Sequence, residues 1–332
     1  MSWLKSIGDS IGKGLEQIGA EIGEFGEGVA KGVQRAAASV NYVEPFERVV
    51  QGARDLYVGA EKLFTGASAE PDPRTKVNPD YRQANGQLFV RGTGDTNEID
   101  PNDIKQGRLD DCYFLASLAA VAKANPDAIR RMIRENGDGT YTVTLNVRRL
   151  PWESGKGEFK QVEERISGEL PFIDTYPAFA RPTDGLDSKP ELWVPLIEKA
   201  YASYYGRYAH IENAFSGHAM EVITGAPSRS LPPHMLSLEE LARYETAGYA
   251  LTIATKPDLK IGSLELPDIT DRDPLFKTGT LVANHVYFVD SVDLEKGTVT
   301  IRNPWGPTYA PIELTEDQFH RLFIDVSLNP TR

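Results

Sequence analysis

Apolar side chains recur in steps of three and four across residues 1–40, at Leu4, Ile7, Ile11, Leu15, Ile18, Ile22, Phe25, Val29 and Val33, which is the spacing of one helical stripe. Glycines at Gly8, Gly12, Gly19, Gly23 and Gly26 shadow the stripe, and each interior glycine costs a helix about 1 kcal/mol relative to alanine. Such a helix is marginal alone and is expected to pack on a surface. A second helical stretch is predicted near residues 44–64. After it, Gly66-Ala67-Ser68-Ala69-Glu70-Pro71-Asp72-Pro73 and Asn78-Pro79 have the composition of a connector. Residues 1–65 are therefore set apart as an N-terminal helical region, and 66–89 as a linker.

Past residue 90 the pattern changes. Phe114, Leu115, Leu118 and Val121 predict a helix that begins near Cys112, with Asp110 or Asp111 as its N-cap and Pro126 as its stop. Asn136-Gly137-Asp138-Gly139 predicts a turn, and residues 140–147 alternate as a strand. A helix is expected over 191–205, with Trp193, Ile197, Ala200, Tyr201 and Tyr204 on one face and Gly206 ending it. Ser237 with Glu240 forms a capping box ahead of a short helix. The remainder predicts strands at 249–255, 285–292 and 298–302, a helix from Thr315 and a last strand to Leu328. Helices thus precede antiparallel strands, an α+β pattern.

The chain has 332 residues, 40% of them hydrophobic, and a net charge of -12. That charge argues against nucleic acid or an anionic membrane as the main partner. A single cysteine forms no internal disulfide, and a working thiolate is best kept in a reducing compartment. No run approaches the roughly 20 apolar residues of a membrane span, and no secretory core opens the chain. The default expectation is a cytoplasmic protein, with signal-independent secretion or delivery left open. The first 40 residues carry four basic and five acidic side chains, unlike a basic lipid-binding helix. Docking on the protein's own body or on a partner, delivery, and membrane activity all remain open for this segment.

Chemistry concentrates at Cys112. A sulfur nucleophile needs a base, a donor for the oxyanion and surroundings that favour thiolate. At a helix start, unpaired N–H groups favour negative charge, and thiols so placed beside a cation fall to pKa values of roughly 3.5–7.5. Gln106 lies six positions upstream, within reach of the same point. A lone cysteine is more often a small buried hydrophobe, so the partners decide. The histidines are His210, His218, His234, His285 and His320; no two have the i, i+4 spacing of a helical metal site, and no second cysteine exists. His285 opens the alternating run Val286-Tyr287-Phe288-Val289. After the turn Glu295-Lys296-Gly297 comes Ile301-Arg302-Asn303-Pro304-Trp305-Gly306, so adjacent strands would bring the Asn303 amide to the His285 ring. Trp305 would shield that bond from water. His218, in Ser216-Gly217-His218-Ala219, has no such orienting segment behind it.

With these residues in view, the chain resembles the calpain family of papain-like cysteine proteases. Residues 106–116 match the family's pattern around the nucleophile, 192–202 its Trp-x-x-Leu-Leu-Glu-Lys-Ala-Tyr-Ala helix, 221–225 its Thr-Gly segment, and 302–306 its asparagine motif. The resemblance covers roughly residues 90–328. It implies a papain-like two-subdomain core, a helical half over 90–230 and an antiparallel-sheet half over 231–332, preceded by the N-terminal helical region. It also implies a cysteine endopeptidase acting on protein or peptide substrates, with Cys112, His285 and Asn303 as the triad and Gln106 in the oxyanion hole. The alternatives are a noncatalytic interaction module and a papain-like acyltransferase or deamidase.

Three departures stand out. Asp110 occupies a usual glycine position, and Asn284-His285-Val286 replaces Gly-His-Ala. Pro307-Thr308-Tyr309-Ala310-Pro311 stands where the family has an acidic, Trp-rich stretch. The chemistry is expected to need no cofactor, and that last replacement puts calcium dependence in doubt. Residues 264–280 fall where calpains carry a mobile loop beside the cleft.

Overall fold

Two apolar clusters share one antiparallel sheet, and strand alternation decides which residue joins which cluster. The computed structural model describes residues 51–52, 70–149, 153–184, 189–256, 260–261, 264–265 and 273–331. The helical stripe of 1–40, most of 44–64 and the centre of the 264–280 loop lie outside these residues.

The longer elements follow in chain order. They are β1 (Asp80–Gln83), α1 (Cys112–Ala124), α2 (Pro126–Met132), β2 (Ile133–Glu135), β3 (Thr140–Arg148), β4 (Phe159–Ser167), β5 (Glu169–Ile173), α3 (Trp193–Tyr204) and α4 (Ser216–Thr224). Then come β6 (Arg229–Leu231), α5 (Leu238–Thr246), β7 (Ala250–Thr255), β8 (Val286–Asp293), β9 (Thr298–Arg302), β10 (Ile312–Thr315), α6 (Glu316–Leu322) and β11 (Phe323–Asn329). Helices mix with antiparallel strands, the α+β arrangement that the sequence pattern predicts. Among the described residues no helix is long and apolar enough to cross a membrane.

The main sheet has six strands in the order β10-β9-β8-β7-β11-β6, antiparallel throughout. Successive side chains point to opposite faces. Val286 and Phe288 therefore join the cluster built on α1, while Tyr287 and Val289 join a second one with Leu241 of α5 and Phe319 of α6. Helix α1 buries every residue from Tyr113 to Ala122, against α4, β7 and β8. A helix apolar all round belongs inside a core. Phe114 stacks on Tyr201 of α3 with ring centroids 4.2 Å apart, so the two motif-bearing helices touch directly.

Helix α1 ends at Ala124, ahead of Pro126 as expected, and the proline does more than stop it. It opens α2, where its missing N–H has no intrahelical partner to lose, and the break falls at Asn125, whose Nδ2 donates to the Thr331 carbonyl at 2.7 Å.

Residues 70–89, expected as linker, are bound to the body. Strand β1 pairs with β5, and Asp72 exchanges backbone hydrogen bonds with the 206–208 segment. Pro71, Pro73 and Pro79 withhold N–H groups from local structure, and the remaining polar groups find partners across the chain instead. Glu70 pairs with Lys199, whose side chain is fully buried. Lys199 also donates to the Ser167 carbonyl and hydroxyl and to the Glu169 carbonyl, and its ammonium lies 4.8 Å from the Tyr81 ring centre. Further upstream, Gln51 is buried and donates to the Tyr205 hydroxyl at 2.6 Å.

Removing one partner of a buried pair leaves an uncompensated charge. Glu70→Ala is expected to lower stability by about 3 kcal/mol, the low end for a broken buried pair because Glu70 is itself partly exposed. Urea denaturation of the full chain measures this, and a change below about 0.5 kcal/mol, the size of an ordinary surface substitution, would show that Lys199 does not depend on Glu70.

Candidate active site

The β8–β9 ribbon does not keep one register. Near the turn Asp293 faces Thr298 and Ser291 faces Thr300, but further along Val289 faces Ile301 and Phe288 faces Arg302. Asp290 is the extra residue of a β-bulge. Partners across an antiparallel pair share a face. Continued past its last pair, Phe288 with Arg302, the shifted register would set Tyr287 opposite Asn303 and His285 opposite Trp305, on one side of the ribbon. Without the bulge Asn303 would lie opposite Phe288, turned away from His285.

The contacts agree with that parity. The His285 ring centre lies 5.0 Å from Tyr287, edge to face, and 5.1 Å from Trp305. Tyr309 in turn meets Trp305 at 5.3 Å. His285 Nε2 and Asn303 Oδ1 are 2.9 Å apart, and the same Oδ1 accepts the Trp305 backbone N–H at 3.1 Å. A backbone N–H is always a donor, so the Asn303 atom facing it is the oxygen. Nε2 must then carry the proton it donates, and Nδ1 holds the free lone pair. The expected His285–Asn303 pairing is present, and the Trp305 ring packs beside the imidazole.

The backbone of His285 is pinned as well. Its N–H donates to the Thr255 hydroxyl at 3.0 Å, and its carbonyl accepts the Thr255 N–H at 2.9 Å. The preceding Asn284 has φ 53°, the left-handed region that glycine occupies freely and asparagine tolerates. This explains how asparagine serves where the family pattern has glycine.

Cys112 is the first residue of α1, as predicted. The loop before it is held by the Gln106 N–H to the Pro304 carbonyl at 2.9 Å and by the Arg108 N–H to the Ala178 carbonyl at 2.8 Å. A Cβ on Gly107 would stand 1.9 Å from the Phe179 carbonyl oxygen, so only glycine fits this approach. The Val286 backbone N–H, next to His285, donates toward the Cys112 thiol. Among the described residues no hydrogen bond yet joins that thiol to the imidazole. Catalytic bonds that are long in a free enzyme commonly tighten on substrate binding.

Electrostatics correct one expectation. Burial pushes the Cys112 thiol up to about 12, with Asp111 adding to the rise, and burial lowers His285 to about 4. Dehydration outweighs the helix terminus here, because it penalises both charged forms at once. At neutral pH the pair is thiol and neutral imidazole.

Asp111 is the N-cap by position but caps nothing with its side chain. Its carboxylate accepts from Gln106 Nε2 at 3.1 Å, while the other amide hydrogen of Gln106 goes to the Leu109 carbonyl at 2.8 Å. Gln106 thus stands beside the nucleophile with both donors engaged, and an oxyanion role requires one of them to be released. Asp110, the other N-cap candidate, pairs with Lys76 at 2.5 Å. His218 is buried in α4, 3.2 Å from the Tyr205 hydroxyl.

Among the described residues no three His, Cys, Asp or Glu side chains are grouped to hold a metal ion. In the acidic loop ahead of Gln106, Asp95 accepts from Gly92 and Asn102, and Asp103 accepts from Asp100 and Trp193. Asp103 also shares a hydrogen bond with the buried carboxyl of Glu191.

Sequence reasoning missed Thr255, Tyr287, the Asp290 bulge and Glu198. Tyr287 was legible as the i+2 neighbour of His285. Glu198 lies in the 192–202 motif, which gives it no partner, and the bulge had no local signal.

Comparison with known proteins places the chain in a family. A model of calpain family cysteine proteases matches residues 86–310. Calpain-13 of Rattus norvegicus is 27% identical over 215 residues, covering 62% of this chain and 29% of the relative. Calpain-type cysteine protease ADL1 of Oryza sativa subsp. japonica is 25% identical over 290 residues, 78% of this chain and 12% of the relative. Calpain clp-4 of Caenorhabditis elegans is 28% identical over 269 residues, 76% of this chain and 34% of the relative. The chain therefore spans between 12% and 34% of the length of these relatives.

The dry setting of His285 makes a direct prediction. Its imidazole should titrate near pH 4 by NMR, and Trp305→Ala, which admits water to the ring, should move that value up toward the ordinary 6.5. A wild-type titration already at 6.5 contradicts the burial described above.

Proposed function

The chain belongs to the calpain family of cysteine proteases, and from that premise we propose a cysteine endopeptidase with a papain-like, two-subdomain core. The carrying observation is the Asn303 oxygen, which takes N–H bonds from both Trp305 and His285 and so leaves Nδ1 of His285 as the base. Helix α1 and its loop bring Cys112 and Gln106 from one half; the β8–β9 ribbon brings His285 and Asn303 from the other.

In this reading Nδ1 takes the proton of Cys112 as sulfur attacks a peptide carbonyl carbon. The negative oxygen that forms is met by the Cys112 backbone N–H, one of the unpaired donors of the helix start, and by a Gln106 amide hydrogen withdrawn from Leu109 or Asp111. His285 then protonates the leaving amine, the C–N bond breaks, and the acyl group remains on sulfur as a thioester. Water, deprotonated by the same Nδ1, attacks the thioester; the acid departs and the proton returns to sulfur. Asn303 keeps Nε2 protonated throughout, which fixes the tautomer. The neutral thiol–imidazole pair means that charge is created only during attack, inside a site with dipoles already aimed at it.

The substrates proposed are proteins and peptides. Neither a cofactor nor nucleic acid enters the reaction, and a cytoplasmic setting suits the single thiol. The two halves meet through direct bonds, Gln106 to Pro304 and Arg302 Nη2 to Asn102 Oδ1 at 2.6 Å. Activity is therefore expected to be the same, within about twofold, in calcium and in a chelator, far less than the tenfold that about 1.4 kcal/mol of lost assembly would produce. A larger dependence in a peptidase assay would mean that the ion rearranges these contacts.

Cys112→Ala is expected to lower kcat by about a thousandfold or more while leaving the circular dichroism spectrum unchanged. Asn303→Ala should cost less, since a positioned imidazole still acts. Peptide cleavage at the wild-type rate by Cys112→Ala would falsify the reading. Mass spectra showing a one-dalton shift or a cross-link in place of cleavage would instead favour deamidation or acyl transfer.

A further inference from the structure

Directly behind the nucleophile, two carboxyl groups meet in the core. Asp111 precedes Cys112 and is 0% exposed; Glu198, on α3, is 1% exposed. The two side chains are hydrogen-bonded to one another. Both Glu198 oxygens also receive the Ala180 N–H, at 2.9 and 3.1 Å, and Asp111 Oδ1 receives the Gln106 amide. Asp111 Oδ2 and Gln106 Oε1 are buried without any N–H or O–H donor from the described residues. Two carboxylates are both acceptors, so a bond between them requires a proton.

The groups facing this pair do not neutralise it. Asp110 and Glu212 approach from the loops, Tyr81 from β1, Tyr208 from the turn after α3, and the Cys112 thiol from α1. The lysines of the region, Lys76 and Lys199, are engaged with Asp110 and Glu70.

We propose that Asp111 and Glu198 share a buried proton and act together as positioning residues, setting whether the Gln106 amide is free to turn toward the substrate. This rests on the peptidase reading above. With the proton in place, Asp111 is a weak acceptor and gives up the Gln106 hydrogen to the developing oxyanion. Once the proton is lost, two buried anions repel one another, Asp111 holds the amide tightly, and its negative charge opposes thiolate at the next residue. Burial raises both carboxyl groups above the carboxylate range, so the pair retains a proton at neutral pH and gives it up as pH rises. The consequence is an alkaline loss of kcat that belongs to neither Cys112 nor His285.

The test compares pH profiles of kcat and KM on a fluorogenic peptide for the wild type and Glu198→Gln. The glutamine amide donates to Asp111 with a hydrogen that cannot be titrated away, and its carbonyl still accepts from Ala180. Near pH 6 the variant should stay within about threefold of wild type, and near pH 9 it should exceed wild type by about tenfold, the change being in kcat rather than KM. Superimposable profiles, or an equal loss at every pH, overturn the proposal. Should Glu198→Gln fail to fold, Asp111→Asn makes the same untitratable bond from the other side and is judged by the same criterion. Cleavage by the wild type and its absence in Cys112→Ala are read first. If they fail, the peptidase reading fails; if they hold, the pH comparison alone decides the role of the pair.

Discussion

One extra residue in one strand sets the geometry on which the site depends. Asp290 shifts β8 against β9 by one position, and in a pleated ribbon a shift of one exchanges faces. Two side chains that are neighbours in sequence are thereby sent opposite ways. Asn303 turns to His285, while Arg302 turns to the other face, where its guanidinium lies 5.5 Å from the Phe288 ring centre and donates to Asn102. The same bulge thus orients the base and ties its ribbon to the loop that carries the nucleophile. Arg302 also lies 3.7 Å from the Asp290 carboxylate, so the residue that creates the shift also meets a side chain that the shift has aimed.

Burial then determines what kind of chemistry the geometry can support. His285 and Asn303 are 6% and 8% exposed, and the carboxyl groups of Asp111 and Glu198 are more enclosed still. In such surroundings isolated charges are expensive and dipoles strong. The site answers with neutral partners in fixed orientations: a protonated Nε2, an amide oxygen that receives two donors, and backbone N–H groups at a helix start. Each is aimed before a reaction begins, so the reorganisation needed when charge forms is confined to the Gln106 amide. The low polarity that holds thiol and imidazole neutral is also what makes those dipoles effective.

Local pattern carried most of the elements and half of the site. The step from a helical to a period-two pattern located α1, α3 and the strands of the main sheet, and the capping box at Ser237 and Glu240 is formed as read. His285 and Asn303 were found because one opens a strand and the other closes its hairpin partner. Pro126 ends α1 as read and also opens α2, because a proline that cannot continue one helix can begin the next. The connector at 70–89 misled because its composition reports missing local hydrogen bonds, whereas Glu70 and β1 find theirs far along the chain. The role of Glu198 was unreadable for a related reason: it is the glutamate of the 192–202 motif, but only the fold sets Asp111 against it. The thiol was misjudged in sign, since a helix start argues for thiolate and only the packed structure reveals how little water remains.

Two of the departures from the family pattern are matched by a residue elsewhere in the chain. Asn284 stands for glycine and accepts the left-handed backbone, and its N–H donates to the Lys256 carbonyl at 3.2 Å, beyond the end of β7. Asp110 stands for glycine and meets Lys76 from the segment before β1. That segment therefore reaches the site twice, through Lys76 at the nucleophile loop and through Glu70 at Lys199, the residue after Glu198. An exposed pair such as Lys76 with Asp110 contributes under about 1 kcal/mol, so its effect is on orientation more than stability. The buried pair is the stronger bond, and it anchors the same segment to α3. Residues 70–83 act as one more wall of the helical half: they neutralise its buried lysine and hold the loop that presents Cys112. A detachable tether would leave that lysine without its counter-charge.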